Sequence, residues 1–366
     1  MIKARSAPVG STRMKLSCAL VTNADSPELI AEAERLGYHR AWLYDSPAIT
    51  SDVWMALALA AQRTSTIGLG PGVLVPSLRH PMTNATAIAT LAALAPGRVA
   101  VALGSGFTGR YILGKRPLPW AFVEKYVAAL RALLRGETVQ WEDAPIRMLH
   151  TEGFVADRPV EVEVLIGADG PKGTAVAERV ADGVFAAGVP NPAAAGRPYS
   201  LLQFGTVLDD GEDCHSERVL QRAGHGLAVV FHALFERNGP DAVRALPGGE
   251  EWVRAIEAIP PAERHLVTHE GHLVRLTAVD TEAVELAADL LPQFTFSGTA
   301  EQLRARVAEY EAGAARSQGN RALLAKAELG LGDIALTRGD HAEAEQHISK
   351  GLRLYEIGRA SCRERV

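Results

Sequence analysis

The sequence predicts an α/β fold. It reads as a (β/α)8 TIM barrel with a helical insertion, lacking its eighth strand and followed by an unrelated C-terminal helical hairpin. Three observations carry this. From Met14 onward apolar strands alternate with helices, which argues for a parallel sheet covered on both faces. Seven such strands occur, more than most doubly wound sheets hold and close to the eight of a barrel. A chain of 366 residues at 47% hydrophobic is long and apolar enough to bury so large a core.

The elements follow in order. KLSCALVT (15–22) is the first strand, and SPELIAEAERLG is a helix with Ser26 as N-cap, Pro27 at its first position and Gly37 closing it. HRAWLYD (39–45) is the second strand, followed by the apolar helix DVWMALALAAQRT. The third strand lies in TIGLGPGVLVPSLRHP (66–81), and PMTNATAIATLAALAPG is the next helix. RVAVALG (98–104) is the fourth strand, with WAFVEKYVAALRALLRG as its helix. VEVLIG (162–167), the helix GPKGTAVAERVADG, GVFAAG (183–188) and SLLQFGTVL (200–208) complete the count.

Two stretches break the beat. Residues 138–154 read as an inserted strand pair, and residues 210–290 are mostly helical, too long for a simple connection and placed to cover the barrel mouth. The barrel unit spans 14–313, after an N-terminal extension at 1–13. After the helix SGTAEQLRARVAEYEAG an eighth strand rich in β-branched residues is due. Residues 314–356 are instead charged and alanine-rich, and resemble one tetratricopeptide repeat as a helical hairpin. Residues 357–366 resemble translated sequencing adapter and read as a disordered tail.

Composition narrows the function. A net charge of −5 leaves no basic footprint for nucleic acid. No apolar run reaches membrane-span length, the start carries no secretory core, and three scattered cysteines make no disulfide framework. A cytoplasmic protein acting on a small molecule is expected, with a homodimer as the expected assembly.

In a barrel the chemistry sits where strands end. The second strand ends in Tyr44, Asp45 and Ser46. The third carries Gly68, Gly70, Pro71 and Gly72, although Gly and Pro weaken a strand interior, so a bulge, a second backbone or a ligand must press against it. The fourth ends in Gly104, Ser105 and Gly106. The fifth ends in GADGPKG, where Gly170, Pro171 and Lys172 open a helix suited to a phosphate. In ERHLVTHEGHLVR, His265, His269, Glu270 and His272 tempt a metal assignment. HEGH is one residue short of H-E-x-x-H, so no metal is expected, and the histidines read as packing at the barrel mouth or aiding substrate binding.

The succession LGYHRAWLYDS, AAQRTSTIGLGPGVLVPSLRHP, ATLAALAPGRVAVALGSG and GADGPKGTAVAERVADGVF resembles the luciferase-like monooxygenase superfamily over about Met14 to Gly313. It is most similar to the branch that uses the deazaflavin coenzyme F420, as methylenetetrahydromethanopterin reductase does. The resemblance implies a non-proline cis peptide at Gly72–Val73 that backs the cofactor ring, and Asp45 at the ring's polar edge. It also implies Gly104, Ser105 and Gly106 beside the ring and the phosphate at Gly170, Pro171 and Lys172, while His80 reads either as packing below the ring or as structural. Ser46 stands where several members carry His, and Phe107 and Thr108 stand where some carry an acid. The implied function is an oxidoreductase using reduced F420, or a flavin, for hydride transfer to a small organic substrate, with Asp45 and Ser46 as catalytic candidates. An FMN-dependent monooxygenase and a catalytically inactive cofactor-binding or scaffold protein are the alternatives.

Overall fold

The computed structural model describes residues 14–188, 197–317 and 327–333. Eight parallel strands form the barrel: β1 (Lys15–Leu20), β2 (Arg40–Leu43), β3 (Gly68–Pro71), β4 (Ala100–Gly104), β5 (Glu163–Gly167), β6 (Gly183–Ala187), β7 (Tyr199–Phe204) and β8 (Ala327–Asp333). Neighbours follow chain order, and β8 lies between β7 and β1. The Leu69–Val99 and Leu74–Leu103 bridges join β3 to β4 and close the ring.

The eighth strand corrects the expectation of a truncated barrel. Its sequence, AELGLGD, has no β-branched residue and reads as helix or loop. Both flanking strands offer an open edge there, and β8 pairs along its length with each of them. Backbone pairing on two edges outweighs a local propensity that spans only about 1 kcal/mol per residue. Residues 314–317 end the helix Ala300–Ser317. Residues 327–333 of the expected hairpin form β8 instead, and its residues 318–326 and 334–356, the adapter-like tail and the N-terminal extension lie outside the described residues.

Helices α1 (Ser26–Arg35), α2 (Val53–Arg63), α3 (Pro81–Leu94), α4 (Trp120–Leu134) and α5 (Pro171–Val180) follow strands β1 to β5 in turn. Ser26 is the first helical residue and not the cap. Its Oγ accepts from the Asn23 N–H (2.9 Å) and donates to the Val21 carbonyl (3.1 Å). Gly37 has φ +84, the left-handed conformation that closes α1. Asp52 caps α2, accepting from the Trp54 and Met55 N–H groups at 3.0 and 3.1 Å.

Strand residues alternate between two cores. Leu16, Cys18, Leu20, Ala41, Leu43, Val101, Leu103, Val164 and Ile166 pack outward with the helices. Ala19, Trp42, Ala100, Ala102, Leu165, Phe185 and Leu202 fill the interior, where the Trp42 and Phe185 rings meet edge to face at 5.1 Å. The barrel is therefore a packed core and not a pore. At the end of α1, partial burial opposes charge on Glu34, yet its carboxyl is held at about 2 by the loop leading into β3, through the N–H groups of Ile67, Thr66 and Ser65 and the Thr66 hydroxyl. Its stabilising share is complete above about 4.5 and is lost as pH falls toward about 2.

Residues 139–146 form the expected excursion, a hairpin pairing Val139–Trp141 with Ala144–Ile146. The helical insertion contains α6 (Glu217–Asn238), α7 (Gly249–Glu257), α8 (Arg264–His269) and α9 (Ala278–Leu286). It has its own core around Phe231, Trp252, Val253, Ile256 and Leu291. Among the described residues no helix is long and apolar enough to cross a membrane.

Candidate active site

The glycines of β3 answer to two neighbours. A Cβ on Gly70 would lie 2.1 Å from the Ala100 carbonyl oxygen and 2.9 Å from the Trp42 ring, so a second backbone presses there. Gly72 faces Trp42 and Phe185, where a Cβ would lie 3.2 and 3.3 Å away. The Gly72–Val73 peptide is cis. Val73, half-buried, sits at the top of the interior core with Tyr44 and Phe204. Its two methyl groups each lie 3.0 Å from where a Cβ would stand, one on Gly104 and the other on Gly167. Three strand ends thus meet around one small apolar side chain, and any side chain on β4 or β5 at these points would crowd it.

Asp45, two residues past β2, is buried at 3% exposure. Its Oδ2 accepts from Arg79 Nη1 at 2.6 Å, while Oδ1 is buried with no hydrogen bond. Burial raises the Asp45 carboxyl above its usual range, against the pull of the Arg79 guanidinium. Arg79 also donates to Asp52 Oδ2 (2.9 Å). Partial burial opposes the charge on Asp52, but the Met55 N–H, Arg79 and the Trp54 N–H hold it below its usual range. The Tyr126 hydroxyl donates to the Arg79 carbonyl (2.9 Å) and accepts from Asn84 Nδ2 (2.8 Å), which fixes the segment carrying the guanidinium.

The other expected residues divide. The Ser46 carbonyl anchors a turn by accepting from the Ile49 and Thr50 N–H groups at 2.8 and 2.9 Å. Ser105 accepts from the Leu118 N–H through its carbonyl (2.8 Å), and Gly106 has φ +82, which favours glycine. Gly170 is the N-cap of α5, with nothing within 4 Å of an added Cβ, and Pro171 and Lys172 are exposed in its first turn. Pro171 has no N–H, so Lys172 and Gly173 supply the open donors of that helix end. Gly173 is a packing glycine, since a Cβ would lie 2.6 Å from Trp120. His80 belongs to none of this. Its Nδ1 accepts from the Met82 N–H at 3.1 Å and caps α3, the structural one of the two roles the sequence allowed it.

Sequence reasoning missed three participants. Arg79 is bound to Asp45 only through the fold. Arg237, on α6, lies over the Phe107 ring at 5.5 Å, next to the β4 loop. His232, also on α6, meets His269 and His272, and these two contact Phe107 at ring separations of 5.8 and 5.4 Å. Tyr111 stacks on His269 at 5.5 Å. The insertion therefore reaches the loop that follows β4, as expected for a cover over the mouth. A separate groove of about 650 Å³, lined by His215, Glu217, Gln221, Arg275 and Glu285 among others, contains no strand-end residue.

These features suit a planar group with a polar edge and an anionic tail. A small apolar floor, an unpaired buried carboxylate oxygen and an open helix N-terminus lie on one face of the barrel. A family model described as luciferase-like monooxygenase matches residues 12–202. The chain is similar to an F420-dependent glucose-6-phosphate dehydrogenase from Beutenbergia cavernae, 32% identical over 54% of this chain and 56% of the relative. It is similar to a 5,10-methylenetetrahydromethanopterin reductase from Methanolobus tindarius, 31% identical over 42% of this chain and 47% of the relative. The match thus spans about half the length of these curated relatives. Among solved structures, the coenzyme F420-dependent tetrahydromethanopterin reductase from Methanopyrus kandleri aligns with a TM-score of 0.58 at 19% identity, over 92% of this chain and 97% of that one. The monooxygenase RslO1 from Streptomyces bottropensis aligns at 0.52 and 16% identity, over 92% and 97%. At such identities these structures establish the shared fold.

Proposed function

This chain belongs to the luciferase-like monooxygenase family, and we propose on that footing that it is an oxidoreductase that binds coenzyme F420 at its barrel mouth and acts on a small organic molecule. The observation that carries the reading is Val73, seated between Gly104 and Gly167, with the unpaired Oδ1 of Asp45 on the same barrel face. The F420-dependent curated relatives favour F420 over FMN. When bound, reduced F420 supplies a hydride and resists wasteful oxidation by oxygen.

The chain's own residues do the rest. Val73 packs against one face of the ring and leaves the other to the substrate. Gly104, Ser105 and Gly106 let the β4 loop approach closely, because they add almost no side-chain bulk. Asp45 presents Oδ1 to the polar edge of the ring, and Arg79 holds its other oxygen so that the carboxyl cannot turn away. Burial raises its proton affinity, which suits it to hold or pass a proton at the ring edge. Ser46 adds a hydroxyl beside it. Lys172 and the first N–H groups of α5 take the phosphate. Phe107, Tyr111 and the insertion wall the mouth and limit water at the reacting face.

Titration with F420 and with FMN, followed by fluorescence quenching, tests the proposal. Saturable F420 binding in the micromolar range or tighter is expected, and Lys172→Ala is expected to weaken it several-fold at low salt and less at high salt, because a lysine acts as a screened point charge. FMN binding without F420 binding would turn the reading to an FMN-dependent monooxygenase. Binding of neither would turn it to a catalytically silent scaffold.

A further inference from the structure

We propose that His232, His269 and His272 form a binding site for one divalent transition-metal ion of the zinc, cobalt and nickel class, set in the wall between the helical insertion and the β4 loop. The three imidazoles come from α6, α8 and the turn after α8, and all three are buried. Their ring centroids are 5.1, 5.4 and 5.8 Å apart. One ligand nitrogen from each lies within 4.8 Å of the other two. A tetrahedral site with metal–nitrogen bonds of about 2.05 Å sets its nitrogens about 3.3 Å apart, so modest side-chain rotation completes the triangle.

The outer contacts are those a metal site uses. His232 Nε2 is 2.9 Å from Asp280 Oδ1, and His269 Nε2 is 3.3 Å from Glu236 Oε1. A ligating histidine usually gives its second ring nitrogen to a carboxylate, which fixes the tautomer and leaves the first nitrogen's lone pair for the metal. The remaining nitrogens fit that role. His269 Nδ1 is buried with no hydrogen bond, and His232 Nδ1 faces His272 Nδ1 at 2.8 Å. Asp280 is itself fixed by Trp252 Nε1 (2.9 Å) and Thr277 Oγ1 (2.7 Å). Two outer carboxylates also balance a dication, so the loaded cluster is close to neutral.

Nothing in the sequence motif requires this. His265, four residues before His269 on the same helical face, is not in the cluster, and the third ligand arrives from α6. The ion would tie α6, α8 and the following turn together behind Phe107 and Tyr111, at the mouth of the barrel. The proposal is independent of which cofactor the barrel binds.

The test uses the full chain after chelator treatment and dialysis, titrated with Co²⁺ by its visible absorption and with Zn²⁺ against a chromophoric indicator. A second cluster, Cys214, His215 and Asp289, also brings metal-ligating groups together. The measurement is therefore made in parallel on a Cys214→Ala/His215→Ala variant. We expect one ion per chain in both proteins, a zinc-dependent rise in Tm, and at least a hundredfold loss of affinity in His269→Ala and His272→Ala. Asp280→Asn should cost about tenfold to a hundredfold, and His265→Ala should cost nothing. X-ray absorption of the zinc-loaded unaltered chain should show imidazole ligands without sulfur, a readout that needs no variant to fold. Absence of stoichiometric binding, loss of binding in the Cys214→Ala/His215→Ala variant, or a sulfur-coordinated zinc would overturn the proposal.

Discussion

Asp45 is the residue on which the proposed chemistry turns. It has one oxygen tied to Arg79 and one left unpaired in a buried place, an arrangement that costs stability unless a ligand completes it. Because burial raises its proton affinity above that of the unfolded chain, its contribution to stability falls as pH rises from 3.8 through its folded pKa. Asp45→Asn keeps the shape and removes the charge, while Asp52 still partners Arg79. We expect F420 affinity to fall about tenfold or more, the order of one lost hydrogen bond to a charged group. Asp52→Asn disturbs Arg79 from its other side and should leave affinity within about twofold. Equal losses in the two variants, measured by the same quenching titration, would reduce Asp45 to a group that only positions Arg79.

At the scale of the element, the glycine-rich loops are not one feature. Gly70 and Gly173 are where backbone or ring leaves no room, Gly104 and Gly167 are cut back around Val73, and Gly170 is open. Gly70→Ala forces a methyl into the Ala100 carbonyl and should cost about 1–3 kcal/mol in denaturant unfolding, the usual range for overpacking. Gly170→Ala meets nothing within 4 Å and should cost under about 1 kcal/mol as a change of helix cap. A large destabilisation by the second substitution would mean that the α5 N-terminus is constrained by more than its own helix. The glycine pattern was legible in the sequence, and so were its three candidate causes. Which cause applies to which glycine depends on Trp42, Ala100 and Val73, residues from other strands or loops that no local window joins.

For the whole molecule the decisive feature is closure. β8 pairs β1 on one side and β7 on the other. A chain ending after residue 317 would leave both edges open, and open edges recruit other chains. We expect that truncation to shift the protein from the soluble to the aggregated fraction and to abolish cofactor binding. A monodisperse truncated chain that still binds F420 would show that the barrel does not depend on Ala327–Asp333.

The strand and helix beat, the fold class, the excursion at 138–154 and the insertion at 210–290 were all written in local pattern, because periodicity and capping act over a few residues. The strand-end residues Asp45 and Gly104 were legible for the same reason, since in a barrel the end of a strand is already an address, whereas Val73 was marked only by the family resemblance. Tertiary structure decided the rest. AELGLGD became a strand because two open edges received it, against its own propensity. Arg79 reached Asp45, and His232 reached His269 and His272, only once the loops and the insertion had packed. Those contacts join residues tens of positions apart, and local pattern holds no record of them.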